Sequence, residues 1–196
     1  MIHKKRRTMQ DTFRQQMHAA SPAEKARLLI ELFRTRGQGH YDELVTQYQH
    51  AVQSAHLAKA TGDARLVAAA LLHDIGHLFE DAADDQHDLF HEDIGADFLS
   101  AFYPESVTEP IRLHVPAKRY LCTVNPAYYE DLSPASRTSF GLQGGMMSEK
   151  ELAAFRANPY HASAIELRRW DDLAKDTEGA FPEIDTYAQD LVAALK

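Results

Sequence analysis

Apolar residues along this chain recur at three- and four-residue intervals, and no run keeps a two-residue alternation for long, so the pattern predicts helices almost throughout. In "SPAEKARLLIELFRTRGQG", Leu28, Leu29, Leu32 and Phe33 share one helical face. Ser21 as N-cap, Pro22 in the first turn and Glu24 three residues after the cap mark its start, and Gly37 or Gly39 its end. Leu44 to Gly62 predicts a second helix. Asp63 caps a third through "ARLVAAALLHDIGHLF", apolar nearly all round and so expected inside a bundle. "FHEDIGADFLSAFY" predicts a fourth helix, ended near Pro104. "PESVTEPIRLHVPAKRYLC" predicts a short fifth, interrupted by Pro110 and Pro116. Between Thr123 and Met147 the periodicity is weak, and an irregular loop near a functional site is expected. Helices return with "SEKELAAFRANP", which opens on a Ser148–Glu151 capping box, then "NPYHASAIELRRWDDLAK" and "EIDTYAQDLVAALK". The fold class expected is all-α.

Composition narrows the function classes. With 196 residues and 44% hydrophobic content, one domain over 1–196 is expected, residues 1–20 forming an N-terminal extension. A net charge of −8 gives nucleic-acid binding no general electrostatic support, and "HKKRR" reads as a solvated tail. No apolar run approaches the roughly 18 residues of a membrane span. "MQDTFRQQMHAA" is not a signal-peptide apolar region. Cys122 is the one cysteine, so no internal disulfide can form, and a reducing cytoplasm fits.

The greasiest segment, "LVAAALLHDIGHL", also holds His73, Asp74 and His77. Helix neighbours point about 100° apart, so His73 and Asp74 can lean to one side, and a second carboxylate oxygen is free to bridge two metals. A buried ionised aspartate is costly unless paired or metal-bound. The plainer alternative is an aspartate satisfied by an arginine and backbone amides beside a core histidine. Further candidates lie on separate predicted helices, each with a plain reading of its own. His50 could be a core histidine, His91 a surface residue and His114 an exposed helix end. Asp171 could pair with Arg168 or Lys175. His77, four residues after His73, faces the same way or is a hydrogen-bonded core histidine.

The order His50 … His73-Asp74 … Asp171 resembles the HD-domain superfamily, a helical bundle that binds metal. "VTQYQHAVQSA", "ALLHDIGHL", "HEDIGA", "RLHVPAKRYL", "LSPASRTSFGLQGGMMS" and "NPYHASAIELRRWDDLAK" resemble its PhnZ type of mixed-valence di-iron oxygenase. Those enzymes cleave the carbon–phosphorus bond of 2-amino-1-hydroxyethylphosphonate or its trimethylammonio analogue. The resemblance implies an Fe(II)/Fe(III) pair with molecular oxygen as co-substrate. It gives one iron His50, His73, Asp74 and Asp171, and the other His91, His114 and the second oxygen of Asp74. It sets His77 near the substrate hydroxyl and makes Lys118, Arg168, Ser136 and Gln143 contacts of an organophosphonate. The products it implies are phosphate and glycine or glycine betaine. The family also carries a Tyr-x-x-Glu lid before the first ligand. Here the stretch is "GHYDELVTQ": Glu43 keeps its offset from His50, but Tyr41 stands one residue closer, so His40 or a shifted Tyr41 fills that place.

The ligand set alone suits hydrolysis as well as oxygen chemistry. A phosphohydrolase on this scaffold would turn over a phosphate ester without oxygen. A non-catalytic HD module would keep the ligands and turn over neither substrate class.

Overall fold

A computed structural model of the chain describes residues 8–39, 45–79 and 90–196. Eleven α-helices and no strand occur among these residues. The segment expected to be a mere extension carries α1 (Met9–Ala19), capped by Thr8 and Asp11, and buries Phe13 and Met17 in the core. α2 (Pro22–Arg36) begins on the expected Ser21–Glu24 capping box and ends at Gly37. A Cβ at Gly37 would fall 2.4 Å from the Phe33 carbonyl oxygen, which is why a glycine closes this turn.

α3 (Gln47–Ala58) starts three residues later than Leu44, because the Thr46 hydroxyl accepts from the Gln49 amide while Gln49 reaches back to Thr46. Gly62, at φ 68°, stops the chain as expected. α4 (Ala64–Leu72) is capped by Asp63 and buried from Val67 to Leu72, touching α3, α6, α10 and α11.

Three expectations are corrected. The helix through the dyad ends at Leu72, and the chain continues as a 3-10 turn over Ile75–Phe79. Gly76 there passes against α5 (His91–Leu99) so closely that a Cβ would lie 2.1 Å from the His91 carbonyl oxygen. This tertiary contact fixes the path of the turn. Next, α6 (Glu105–Val124) runs unbroken through Pro110 and Pro116. An interior proline costs about 3 kcal/mol. The buried side chains of Val107, Ile111, Val115 and Leu121 offset that at about 1.5–3 kcal/mol each. Finally, the Thr123–Met147 stretch is helical for most of its length and irregular mainly after Leu142. It holds α7 (Pro126–Asp131) and α8 (Pro134–Leu142), each opened by a proline in its first turn, with the Ser133 hydroxyl capping α8.

α9 (Glu149–Ala157) begins on the Ser148–Glu151 box. α10 (His161–Leu173) packs along α6, and a 3-10 turn at Ile184–Tyr187 leads into α11 (Ala188–Ala193). None of the described helices is long and apolar enough to cross a membrane.

Candidate metal centre

Five elements deliver the candidate ligands to one buried point. α3 brings His50 and the end of α4 brings His73, with Asp74 directly after. α5 brings His91 at its first residue, α6 brings His114 near its middle, and α10 brings Asp171. All six are buried. His114 is therefore not an exposed helix end, nor His91 a surface residue.

Asp74 divides the site. Its Oδ2 lies 3.4 Å from His73 Nε2 and 3.7 Å from His50 Nε2. Its Oδ1 lies 3.4 Å from His91 Nε2 and 3.7 Å from His114 Nε2. The two histidine pairs are alike, with Nε2 atoms 3.1 Å apart in each. Neighbouring ligands at about 2.1 Å from one metal stand about 3.0–3.4 Å apart, which the 3.1 and 3.4 Å spacings match and the 3.7 Å spacings slightly exceed.

The hydrogen bonds on the far side of the rings settle where the protons sit. His50 Nδ1 donates to the Ala174 carbonyl at 2.9 Å, His73 Nδ1 to Ala70 at 2.8 Å and His114 Nδ1 to Ile111 at 2.7 Å. A carbonyl only accepts, so each Nδ1 carries the proton and each Nε2 presents a lone pair inward. Lone pairs thus converge on a carboxylate whose Oδ2 is buried and has no hydrogen bond. Such an arrangement is repulsive without a cation, so the residues fit a metal pair that shares Asp74.

Asp171 turns one oxygen to the histidines and the other to Arg168, the partner its helical spacing suggested. Oδ1 lies 3.3 Å from His50 Nε2, and Oδ2 accepts from Arg168 Nη1 at 2.6 Å. Trp170, the one tryptophan of the chain, precedes it on α10 and packs in the main core. His77 is half-buried, and because the helix breaks, it reaches the site by stacking on the His91 ring, centroids 4.0 Å apart.

Electrostatics support ionised carboxylates at Asp74 and Asp171 and a neutral imidazole at His114. Burial raises the Asp74 carboxyl, but the surrounding histidines, His73 and His91 foremost, outweigh it and hold it below the ordinary range. Burial is likewise overcome at Asp171, chiefly by Arg168. His114 is pushed down to about 4 by burial and then by His73. Glu92 beside His91 is pushed up to about 7, mainly by burial.

A cationic wall adjoins the ligands. Lys118 and Arg168 are each 3% exposed, so neither lies on a solvated surface. Lys118 Nζ donates to Ser139 Oγ at 2.8 Å, and burial plus Arg168 push it down to about 8. The serine in contact with Lys118 is Ser139. Ser136, on the same face of α8, lies 3.4 Å from Lys175 Nζ instead. Gln143 Oε1, at the end of α8, is buried without a hydrogen-bond partner. Arg168 also meets Asp172 and the Tyr128 hydroxyl. Sequence reasoning missed Ser139, Tyr128 and Asp172 as neighbours of the site, although Ser139 stands three residues from Ser136 and Asp172 one from Asp171. Tyr41, Glu43 and His40, the candidates for the lid, lie outside the described residues.

The HD domain family matches residues 47–176, the span that carries all six ligands. The chain is 47% identical over 182 residues to a hydroxymethylphosphonate dioxygenase of Gimesia maris, covering 90% of each chain. It is 39% identical over 163 residues to a [1-hydroxy-2-(trimethylamino)ethyl]phosphonate dioxygenase (glycine-betaine-forming) of Leisingera caerulea, covering 80% of this chain and 83% of that one. It is also 33% identical to an uncharacterised protein of Acanthamoeba polyphaga mimivirus, covering 85% and 80%.

Proposed function

Because this chain belongs to the HD-domain family, and within it to the PhnZ-type oxygenases, we propose that it uses molecular oxygen to cleave the carbon–phosphorus bond of a 1-hydroxyphosphonate. The observation that carries this reading is Asp74, whose two oxygens each face a separate pair of inward-pointing imidazoles beside two buried cations. We assign His50, His73, Asp74 and Asp171 to one iron, and His91, His114 and the other Asp74 oxygen to its mate. A mixed-valence Fe(II)/Fe(III) pair held there supplies the activation of oxygen that the side chains lack.

The protein's own residues do the rest. Lys118 and Arg168 bind the phosphonate as charge-assisted donors, with Ser136, Ser139 and Gln143 beside them on α8 and its end. His77, stacked on His91, holds the proton of the substrate hydroxyl. The apolar walls of α4 and α6 exclude bulk water, which strengthens each of these contacts. Overall, the carbon that bears the hydroxyl becomes a carboxylate and phosphate leaves: one substrate and one O2 give one carboxylic acid and one phosphate.

The two named relatives differ in what stands beyond the hydroxyl-bearing carbon. A 2-amino or 2-trimethylammonio substrate would yield glycine or glycine betaine. Hydroxymethylphosphonate, which has no such arm, would yield formate. Two observations favour the armless substrate as the second reading: the 47% relative is named for it, and the shifted Tyr41 falls in the segment expected to hold the cationic arm. The test is anaerobic reconstitution with iron, then oxygen and each of the three compounds, with phosphate and the carboxylate measured. Oxygen-dependent phosphate release from one of them is expected. Release without oxygen from a phosphate ester, or none from any hydroxyphosphonate, overturns the reading.

A further inference from the structure

The end of α10 is stapled to α3 at two points. α10 stops at Leu173, and Ala174 leaves the helix at φ −79° and ψ 49°. The last carbonyls of a helix have no partner within it. The carbonyl of Ala174, a fully buried residue, accepts from His50 Nδ1 at 2.9 Å. Two residues on, the Asp176 backbone meets a second side chain of α3. Gln53 Nε2 donates to the Asp176 carbonyl at 2.8 Å, and Gln53 Oε1 accepts from the Asp176 amide at 2.9 Å. One side-chain amide thus pairs with both backbone groups of a single residue, as a neighbouring strand would. Gln53 is 3% exposed and stands three residues after His50, on the same side of α3.

We propose that Gln53 is a positioning residue for the metal centre: by clamping Asp176 it sets the place of the Ala174 carbonyl, and through that carbonyl the tautomer and tilt of the His50 ring. The inference rests on the assignment of His50 to an iron and adds a residue that acts through it. A buried polar side chain is costly unless it is bonded, and an apolar one of the same length would fill the same space. The glutamine is explained by the two backbone groups it satisfies, which belong to a segment outside any helix. The chain from Ala174 to Asp176 is then held to α3 at both ends, beside the carbonyl that orients the imidazole. His50 Nε2 also lies 3.3 Å from Asp171 Oδ1, one turn before Ala174. A shift of the α10 end therefore disturbs two groups of the same iron site, while His91 and His114 stand on α5 and α6. Groups that orient a ligating histidine are worth about 10–100-fold in metal affinity.

The experiment titrates the metal-free full chain with ferrous iron under anaerobic conditions, with Mössbauer spectra to separate the two irons. Gln53→Met keeps the length of the side chain and removes both hydrogen bonds. It is expected to weaken one iron about 10–100-fold and leave the other at the parent's affinity. The iron that is weakened should be the one missing from His50→Ala. Asp176→Asn keeps the backbone groups that Gln53 grips and should bind both irons like the parent. Ser21→Ala, which removes a distant helix cap, should also bind both normally and so shows what a general loss of stability does. A second measurement needs no variant. Coupling between two sites is reciprocal, so loading the parent with zinc should slow hydrogen exchange at the Asp176 amide by a comparable factor. If His50→Ala keeps both irons, the assignment of His50 itself fails. If His50→Ala loses one iron but Gln53→Met binds both normally, or weakens both alike, the positioning role is overturned. It is overturned as well if Asp176→Asn loses as much as Gln53→Met, or if metal leaves exchange at the Asp176 amide unchanged.

Discussion

The metal-facing histidines and the cations that adjoin them are anchored by different kinds of partner. His50, His73 and His114 are oriented by backbone carbonyls of Ala174, Ala70 and Ile111. Lys118, Lys175 and Arg168 are oriented by side chains: Ser139, Ser136, and the Tyr128–Asp172 pair with Asp171. A carbonyl is present whatever residue carries it, so the imidazole geometry survives substitution at those positions as long as the helices stay packed. A hydroxyl or carboxylate is removed by a single substitution. Three of the four imidazoles at the metal end are therefore anchored by backbone, with His91 Nδ1 facing Glu92 instead, while the anion end is written in individual side chains and can be retuned.

That contrast can be broken or sharpened in four steps of falling effect. Asp74→Ala removes at once both oxygens that face the two histidine pairs. Both metals should be lost and turnover should fall on the order of a thousandfold or more, checked by elemental analysis beside a phosphate-release assay. Gly76→Ala attacks the backbone of one half only, since its Cβ would stand 2.1 Å from the His91 carbonyl oxygen. It should cost about 1–3 kcal/mol in chemical denaturation. Metal titration should find the His91–His114 side weakened before the His50–His73 side.

The third step turns to the anion end. Lys118 is pushed down to about 8 by burial and Arg168. Its cation, proposed to bind the phosphonate, is present below that pH in the free protein and is lost as pH rises through it. The ratio kcat/KM should fall above pH about 8, and Lys118→Met should abolish that limb of the profile while lowering the plateau. The smallest effect is expected far from both ends. Ser21→Ala removes the α2 cap and should lower stability by about 1 kcal/mol with unchanged turnover. A loss of metal in that variant would show that the centre is not insulated from the distant packing.

Legibility in the sequence follows the same division between local and long-range causes. The caps at Ser21, Asp63 and Ser148 were readable because a cap involves residues two or three apart. The break after Leu72 was not, because it comes from Gly76 meeting the backbone of His91 across the fold. The continuity of α6 through Pro110 and Pro116 is also decided by what packs around it. α7 and α8 were missed because six and nine residues are too few for a periodic signal, although Pro126, Ser133 and Pro134 were start signals in plain view. The convergence of His50, His73, Asp74, His91, His114 and Asp171 was foreseen from ordered motifs. The Tyr128–Asp172 pair and the Lys118–Ser139 contact had no motif and needed the packing of α7 and α8 against α6 and α10.

The position of Trp170 has a use of a different kind. It is the chain's one tryptophan, and its α-carbon stands about 3.8 Å from that of Asp171. Tryptophan fluorescence of the protein therefore comes from one helix, at the residue next to a carboxylate that faces His50 with one oxygen and grips Arg168 with the other. The molecule carries its own optical probe at the junction of its two ends, and metal loading and anion binding can each be followed there without a label.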